Sequence, residues 1–146
     1  MTESADSGIP ENASWKKEIQ LAEGQDSSSV LNKLETLLAD NTDNHRWYLC
    51  QEGRGIQRSF HFKTFKQTWD FMQAVAEKCK VERHHPEWWN AYNQTFIQWT
   101  THRPKGLTIK DVNMAAFCDQ QAAEYDEMAA KAPATKSIFG LFEAEI

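Results

Sequence analysis

The chain lacks most of the features that assign a function class on sight. It has three cysteines, Cys50, Cys79 and Cys118, odd in number and far apart, with no CxxC pair. That argues against a disulfide framework and a thiolate zinc site, and reads the three as reduced packing residues. No apolar run approaches the ~18 residues of a membrane span, and MTESADSGIP has neither the basic nor the apolar region of a signal peptide. The expectation is no membrane contact and a cytoplasmic location, with the nucleus also open. A basic surplus is missing too: the net charge of -5 gives no electrostatic reason for direct nucleic-acid binding. There is no Gly-rich phosphate loop. What is present, 40% hydrophobic residues with six Trp and eight Phe in 146 positions, suffices for one packed domain and not for two.

Residues 1–26 carry six acids against two lysines, so they hold four of the five net negative charges. We read them as a flexible acidic N-terminal extension in which Trp15, Ile19 and Leu21 are the residues able to dock. From Ser28, the spacing of Val30, Leu31, Leu34, Leu37 and Leu38 predicts a helix with a serine cap. Trp47–Cys50 and Ile56–Phe62, joined by Glu52-Gly53-Arg54-Gly55, predict a β-hairpin that points His61 to solvent, while His45 lies in a solvated polar turn. Thr64 with Gln67 forms a capping box, and Phe65, Trp69, Met72, Ala76 and Cys79 predict a helix over 65–80 with that stripe in the core. A second hairpin follows, Trp88–Asn93 and Thr95–His102. The period of two places Gln98, Thr100 and His102 on one face, with Ile97, Trp99 and Thr101 on the other. Arg103-Pro104-Lys105-Gly106 breaks the strand, and Thr108 with Asp111 caps a last helix running to about Lys131, ended by Pro133. The fold class is therefore α+β, a four-stranded antiparallel sheet with three helices packed on one face in the order α-β-β-α-β-β-α. The folded domain spans 27–131 and a C-terminal tail spans 132–146.

The densest chemical feature is Arg83-His84-His85-Pro86-Glu87-Trp88-Trp89. Pro86 holds His85 extended and keeps the stretch off the helix, so a short connector brings both imidazoles to the mouth between helix and sheet, where the end of the last strand brings His102. Three readings compete. Imidazole titrates near neutral pH, which suits general acid–base work; adjacent histidines are a poor chelate spacing for zinc; and satisfied structural histidines flanking a turn account for the same residues. Asp111 likewise reads as a capping residue or as a group that orients His102.

The sequence Phe60-His61-Phe62-Lys63, then His84-His85-Pro86-Glu87-Trp88, Tyr92-Asn93, Thr101-His102 and Asp111, resembles the pterin-4a-carbinolamine dehydratases. That family includes a bifunctional member that also serves as dimerisation cofactor of a homeodomain transcription factor. The resemblance runs from about Trp47 to Ala123. It implies a hydro-lyase that expels water from a 4a-hydroxy-tetrahydropterin, including 4a-hydroxy-tetrahydrobiopterin, to give quinonoid dihydropterin and support tetrahydrobiopterin recycling. It implies His84, His85 and His102 as the acid–base groups, with no metal and no cofactor. Arg83, Pro86, Trp88, Thr100, Thr101 and Arg103 are the implied substrate contacts, and Asp111 and Lys80 support them. A homodimer or homotetramer is implied, and a transcription-factor partner in the alternative role of a non-catalytic coactivator module. Two positions depart from the family pattern: Lys80 stands where many members carry an acid, and Arg83 replaces a commonly acidic neighbour.

Overall fold

A computed structural model describes residues 15–39 and 45–129. The C-terminal tail, Pro133 and residues 1–14 lie outside the described residues. The elements are α1 (Trp15–Glu18), α2 (Ser27–Leu38), β1 (Tyr48–Cys50), β2 (Gly55–His61), α3 (Phe65–Glu82), β3 (Glu87–Ala91), β4 (Gln94–His102), β5 (Lys105–Gly106) and α4 (Ile109–Glu124). The α+β architecture is as expected. The strands run antiparallel in the order β1-β2-β4-β3, and β5 folds back on the end of β4 through Thr101 opposite Gly106 and His102 opposite Lys105. Arg103–Gly106 thus forms a tight return, where the sequence reads only a strand break.

Strand alternation puts Ile56, Arg58 and Phe60 of β2 beside their register partners Trp99, Ile97 and Thr95 of β4 on the helix-bearing face, with Thr101 further along the same face. Trp47, Phe60, Phe62, Phe71, Leu34, Val30, Trp99 and Met114 fill the space between sheet and helices. Both capping boxes form, Thr64 with Gln67 and Thr108 with Asp111. Asp26, rather than a serine, caps α2, accepting from Ser28 N and Ser29 Oγ.

Three expectations are corrected. The buried stripe of α3 is Thr68, Phe71, Met72, Val75 and Cys79. Thr68 is buried without penalty because its hydroxyl donates to the Thr64 carbonyl at 2.8 Å, and Phe71 then packs between Phe60 and Phe62 at 4.8 and 5.0 Å. Phe65 and Trp69 turn outward, 49% and 48% exposed, stacked on each other. Second, α4 stops at Glu124 rather than near Lys131. Arg58 is buried on the core face of β2, where it lies over Phe60 and pairs with Asp119 at 3.2 Å and Glu127 at 2.7 Å. Bringing Glu127 to it turns the chain at Asp126, whose φ is +61°, and Met128 N then donates to the His61 carbonyl.

Third, the boundary placed at residue 26 falls inside the fold. Gln20 N donates to the Gly53 carbonyl, Leu107 N to Gln20, and Ala22 N to Leu107, while Leu21 bridges Leu107 in parallel. Trp15, Ile19 and Leu21 pack on the core and Ala22 is buried. Gly53, at φ +88°, makes this approach feasible: a Cβ there would lie 1.7 Å from the Glu18 carbonyl oxygen. His45 and His61 are also not purely solvated. His45 reaches the Met128 carbonyl at 2.9 Å and Glu127 at 3.5 Å, and His61 Nε2 lies 3.2 Å from Asn93 Nδ2.

Candidate active site

The end of α3 sets the site. Arg83 caps the helix in the left-handed region, φ +55°, and its N–H and that of His84 both reach the Cys79 carbonyl. The chain therefore leaves α3 sharply, and His84 turns inward over the sheet. Its ring stacks on Trp99 at 5.6 Å and 15° and is 13% exposed. Trp99 is fully buried and shares its face with Thr101.

The end of β4 and the start of α4 supply the rest. Asp111, fully buried at the third position of α4, accepts at Oδ1 from His84 Nε2 at 2.6 Å. Its Oδ2 accepts from Thr101 Oγ1 at 2.8 Å and from Thr108 N at 3.0 Å. One carboxylate therefore closes the capping box and holds an imidazole. The ring it holds is His84, where the sequence suggests His102. A buried carboxylate takes only donors here, so His84 carries a proton on Nε2 and turns Nδ1 away from Asp111.

His102 lies on the opposite face of β4 from Thr101. Its side chain is 72% exposed, with Nε2 3.6 Å from Glu87 Oε2. Glu87 Oε1 also accepts from Gln98 Nε2 at 2.7 Å, which fixes that carboxylate beside the strand. β4 continues past its last β3 partner at Gln98, so the two faces meet at the open end of the sheet. There a cavity of about 170 Å³ is lined by Arg83, His84, His85, Thr100, Thr101, His102 and Arg103. It thus gathers seven of the residues singled out in the sequence. Pro86 and Trp88 lie outside this lining; Trp88 faces the core side opposite Ile97 and packs against the core, while Trp99 is buried beneath His84 and serves as the platform for that ring. Lys80 is not brought in. Its ammonium pairs with Glu77 at 3.1 Å on the exposed side of α3.

A larger groove of about 370 Å³ lies among α2, α3 and α4, lined by Lys33, Lys78, Lys110, Phe117 and others. It contains no histidine, cysteine, serine or threonine, so chemistry rather than size selects the smaller cavity. Burial pushes the Cys79 thiol up to about 11 and raises the Cys118 thiol well above its ordinary value, which leaves both unreactive. No group of three metal-ligating side chains occurs among the described residues, and no helix there is long and apolar enough to cross a membrane. Sequence reasoning missed Trp99 and Thr108, although period-two alternation from Thr101 identifies the first and the capping box the second.

The model of the family described as pterin 4 alpha carbinolamine dehydratase matches residues 29–121. The chain belongs to this family. A relative from Novosphingobium aromaticivorans with the provisional name pterin-4-alpha-carbinolamine dehydratase is 44% identical over 69 residues, 47% of this chain and 72% of its own. Another of that name, from Burkholderia pseudomallei, is 40% identical over 76 residues, 52% and 75% of the two chains. The crystal structure of a transcriptional coactivator/pterin dehydratase from Brucella melitensis superposes with a TM-score of 0.56 at 31% identity, covering 68% of this chain and 99% of that one.

Proposed function

We propose that the chain dehydrates a 4a-hydroxy-tetrahydropterin to the quinonoid dihydropterin by histidine acid–base catalysis. The observation that carries this reading is the Asp111–His84 pair stacked on Trp99 at the mouth shared with His85 and His102. The reaction breaks the C4a–O bond, forms a C4a=N5 double bond and releases water. It needs one proton delivered to the departing hydroxyl and one removed from the ring nitrogen, and no electron enters or leaves. His84, with Nε2–H bound to Asp111, offers Nδ1 as base. His102, open to solvent for reprotonation and placed to pair with Glu87 when it carries a proton, is the acid. His85, exposed beside them, assists in binding. Threonine hydroxyls and backbone groups at Thr100 and Thr101 supply polar anchors for a flat bicyclic ring.

The same reading makes the chain a cytoplasmic hydro-lyase working as a homodimer or homotetramer and needing no metal or cofactor. The test is the dehydration of synthetic 4a-hydroxy-tetrahydrobiopterin with and without the protein. His84→Ala and His102→Ala each lose ~10²-fold or more in kcat/KM while staying folded. Near-normal rates in both variants overturn the assignment, and so does activity abolished by EDTA and restored by zinc.

A second reading, a non-catalytic module that pairs with a transcription factor, draws on the coactivator name of the Brucella protein and on the exposed Phe65–Trp69 pair. It predicts partner binding with no acceleration of dehydration, and with no loss on removing His84.

A further inference from the structure

Among the described residues, the two arginines of the cavity have no carboxylate partner. Arg83 reaches it from the left-handed cap of α3 and Arg103 from the return after β4; both are exposed, and among the described residues neither is paired with a carboxylate. The acids nearby are committed elsewhere. Asp111 is buried under His84, Thr101 and Thr108, Glu87 is bound to Gln98 and lies beside His102, and Glu82 pairs with Lys78 at 3.3 Å. Two arginines without a carboxylate partner among the described residues thus line one small mouth of a chain whose net charge is -5. The dehydration itself does not call for them, because a pterin ring is neutral and offers a guanidinium only a carbonyl or ring nitrogen. A phosphate monoester has three acceptor oxygens and a charge near -2, enough for two guanidiniums from separate elements, whereas one guanidinium already satisfies a carboxylate.

We infer that Arg83 and Arg103 make this site selective for a pterin whose side chain ends in a phosphate over the same pterin without it. The inference rests on the dehydratase reading for the placement of the ring, and its test separates the two. Calorimetry on the full chain compares 7,8-dihydroneopterin with its phosphate monoester. In parallel, dehydration is followed for the corresponding 4a-hydroxy-tetrahydropterins. At low salt the phosphate form binds at least ~5-fold more tightly and has the higher kcat/KM, the size expected of two partly exposed charge pairs. That margin shrinks at high salt, and falls to about one in the Arg83→Gln/Arg103→Gln variant. Equal affinities in the unaltered protein, or a margin that survives both substitutions in a folded variant, overturn the inference. Dehydration of both forms at equal kcat/KM also sinks it and leaves the dehydratase reading standing. Phosphate-dependent binding without dehydration of either form does the reverse.

Discussion

The most informative substitution is Asp111→Asn, because that side chain serves fold and site at once. Asp111 is fully buried and accepts from His84 Nε2, Thr101 Oγ1 and Thr108 N at 2.6, 2.8 and 3.0 Å. An asparagine fits the space but has one acceptor oxygen and a donor amide. With the oxygen kept toward Thr108 and Thr101, where the cap needs it, the amide faces His84 Nε2 and can be satisfied only if that nitrogen becomes the acceptor. The ring then moves its proton to Nδ1, and the lone pair assigned to the substrate is lost. Stability falls by about 2–4 kcal/mol, from a charge-assisted bond lost and a cap weakened. Activity falls further, by ~10²–10⁴-fold, the range for a catalytic imidazole in the wrong tautomer or deprived of its orienting group. The loss lies in kcat rather than KM, since Thr100, Thr101 and the rest of the cavity lining still receive the ring. Urea unfolding and steady-state dehydration kinetics measure the two effects. Thr101→Val is the control, costing about 1 kcal/mol of stability while the carboxylate and the His84 tautomer survive. A folded Asp111→Asn protein within ~3-fold of normal kcat refutes the assignment of His84 as base.

Other outcomes follow from other parts of the structure. Burial pushes the carboxyls of Asp119 and Glu127 above their ordinary values of 3.8 and 4.5, despite the opposing pull of Arg58. A carboxyl raised in the folded state binds its proton more readily there, so its contribution to stability is present below the ordinary value and is lost as pH rises through the raised one. Unfolding free energies against pH are therefore flatter for Glu127→Gln than for the unaltered chain, and parallel curves would show that the raised carboxyl is not that of Glu127. Gly53→Ala lowers Tm by several degrees, because a Cβ at φ +88° is strained and strikes the Glu18 carbonyl that the docked segment brings there; an unchanged Tm would mean that segment 15–26 contributes nothing. Lys80→Glu leaves the pH–rate profile superimposable at low and high salt, since its ammonium pairs with Glu77 on the outer side of α3. A displaced acidic limb would place Lys80 in the site's field.

Local chemistry was legible where local chemistry decides. Thr64 with Gln67 and Thr108 with Asp111 predict two helix starts because both partners of each box lie within one turn, and period two assigned the faces of β4 from its residues alone. The phase of α3 was not legible. The expected stripe 65-69-72-76-79 and the observed 68-71-72-75-79 share Met72 and Cys79, and apolarity favours the first; only the bond from Thr68 to Thr64 makes the second cheap. In segment 15–26 the apolar side chains able to dock, Trp15, Ile19 and Leu21, are legible, but the segment reads as an extension because much of its attachment is backbone to backbone, through Gln20, Ala22 and Leu107, which no side-chain pattern announces. Arg58 was readable in principle: alternation between Ile56 and Phe60 sends it into the core, where a guanidinium requires acids, and those acids came from α4 and the turn beyond it.

The histidines show the same division most clearly. His84 and His85 are adjacent, so the sequence treats them as a pair, and His102 joins them by strand register. The structure separates their environments instead: His84 is stacked, nearly buried and held by a carboxylate, while His85 and His102 stand in solvent. The difference arises at two points, the left-handed cap at Arg83, which turns His84 inward, and the capping position of Asp111, which sets a buried acceptor where that ring arrives. An elimination that needs a base with a fixed lone pair and an acid that solvent can recharge is served by this inequality. Three equivalent imidazoles around a mouth would leave both roles unassigned. Because β4 runs past its last β3 partner, groups from opposite faces of the sheet line one cavity, so under the proposed reaction acid and base would act from different directions without competing for one proton.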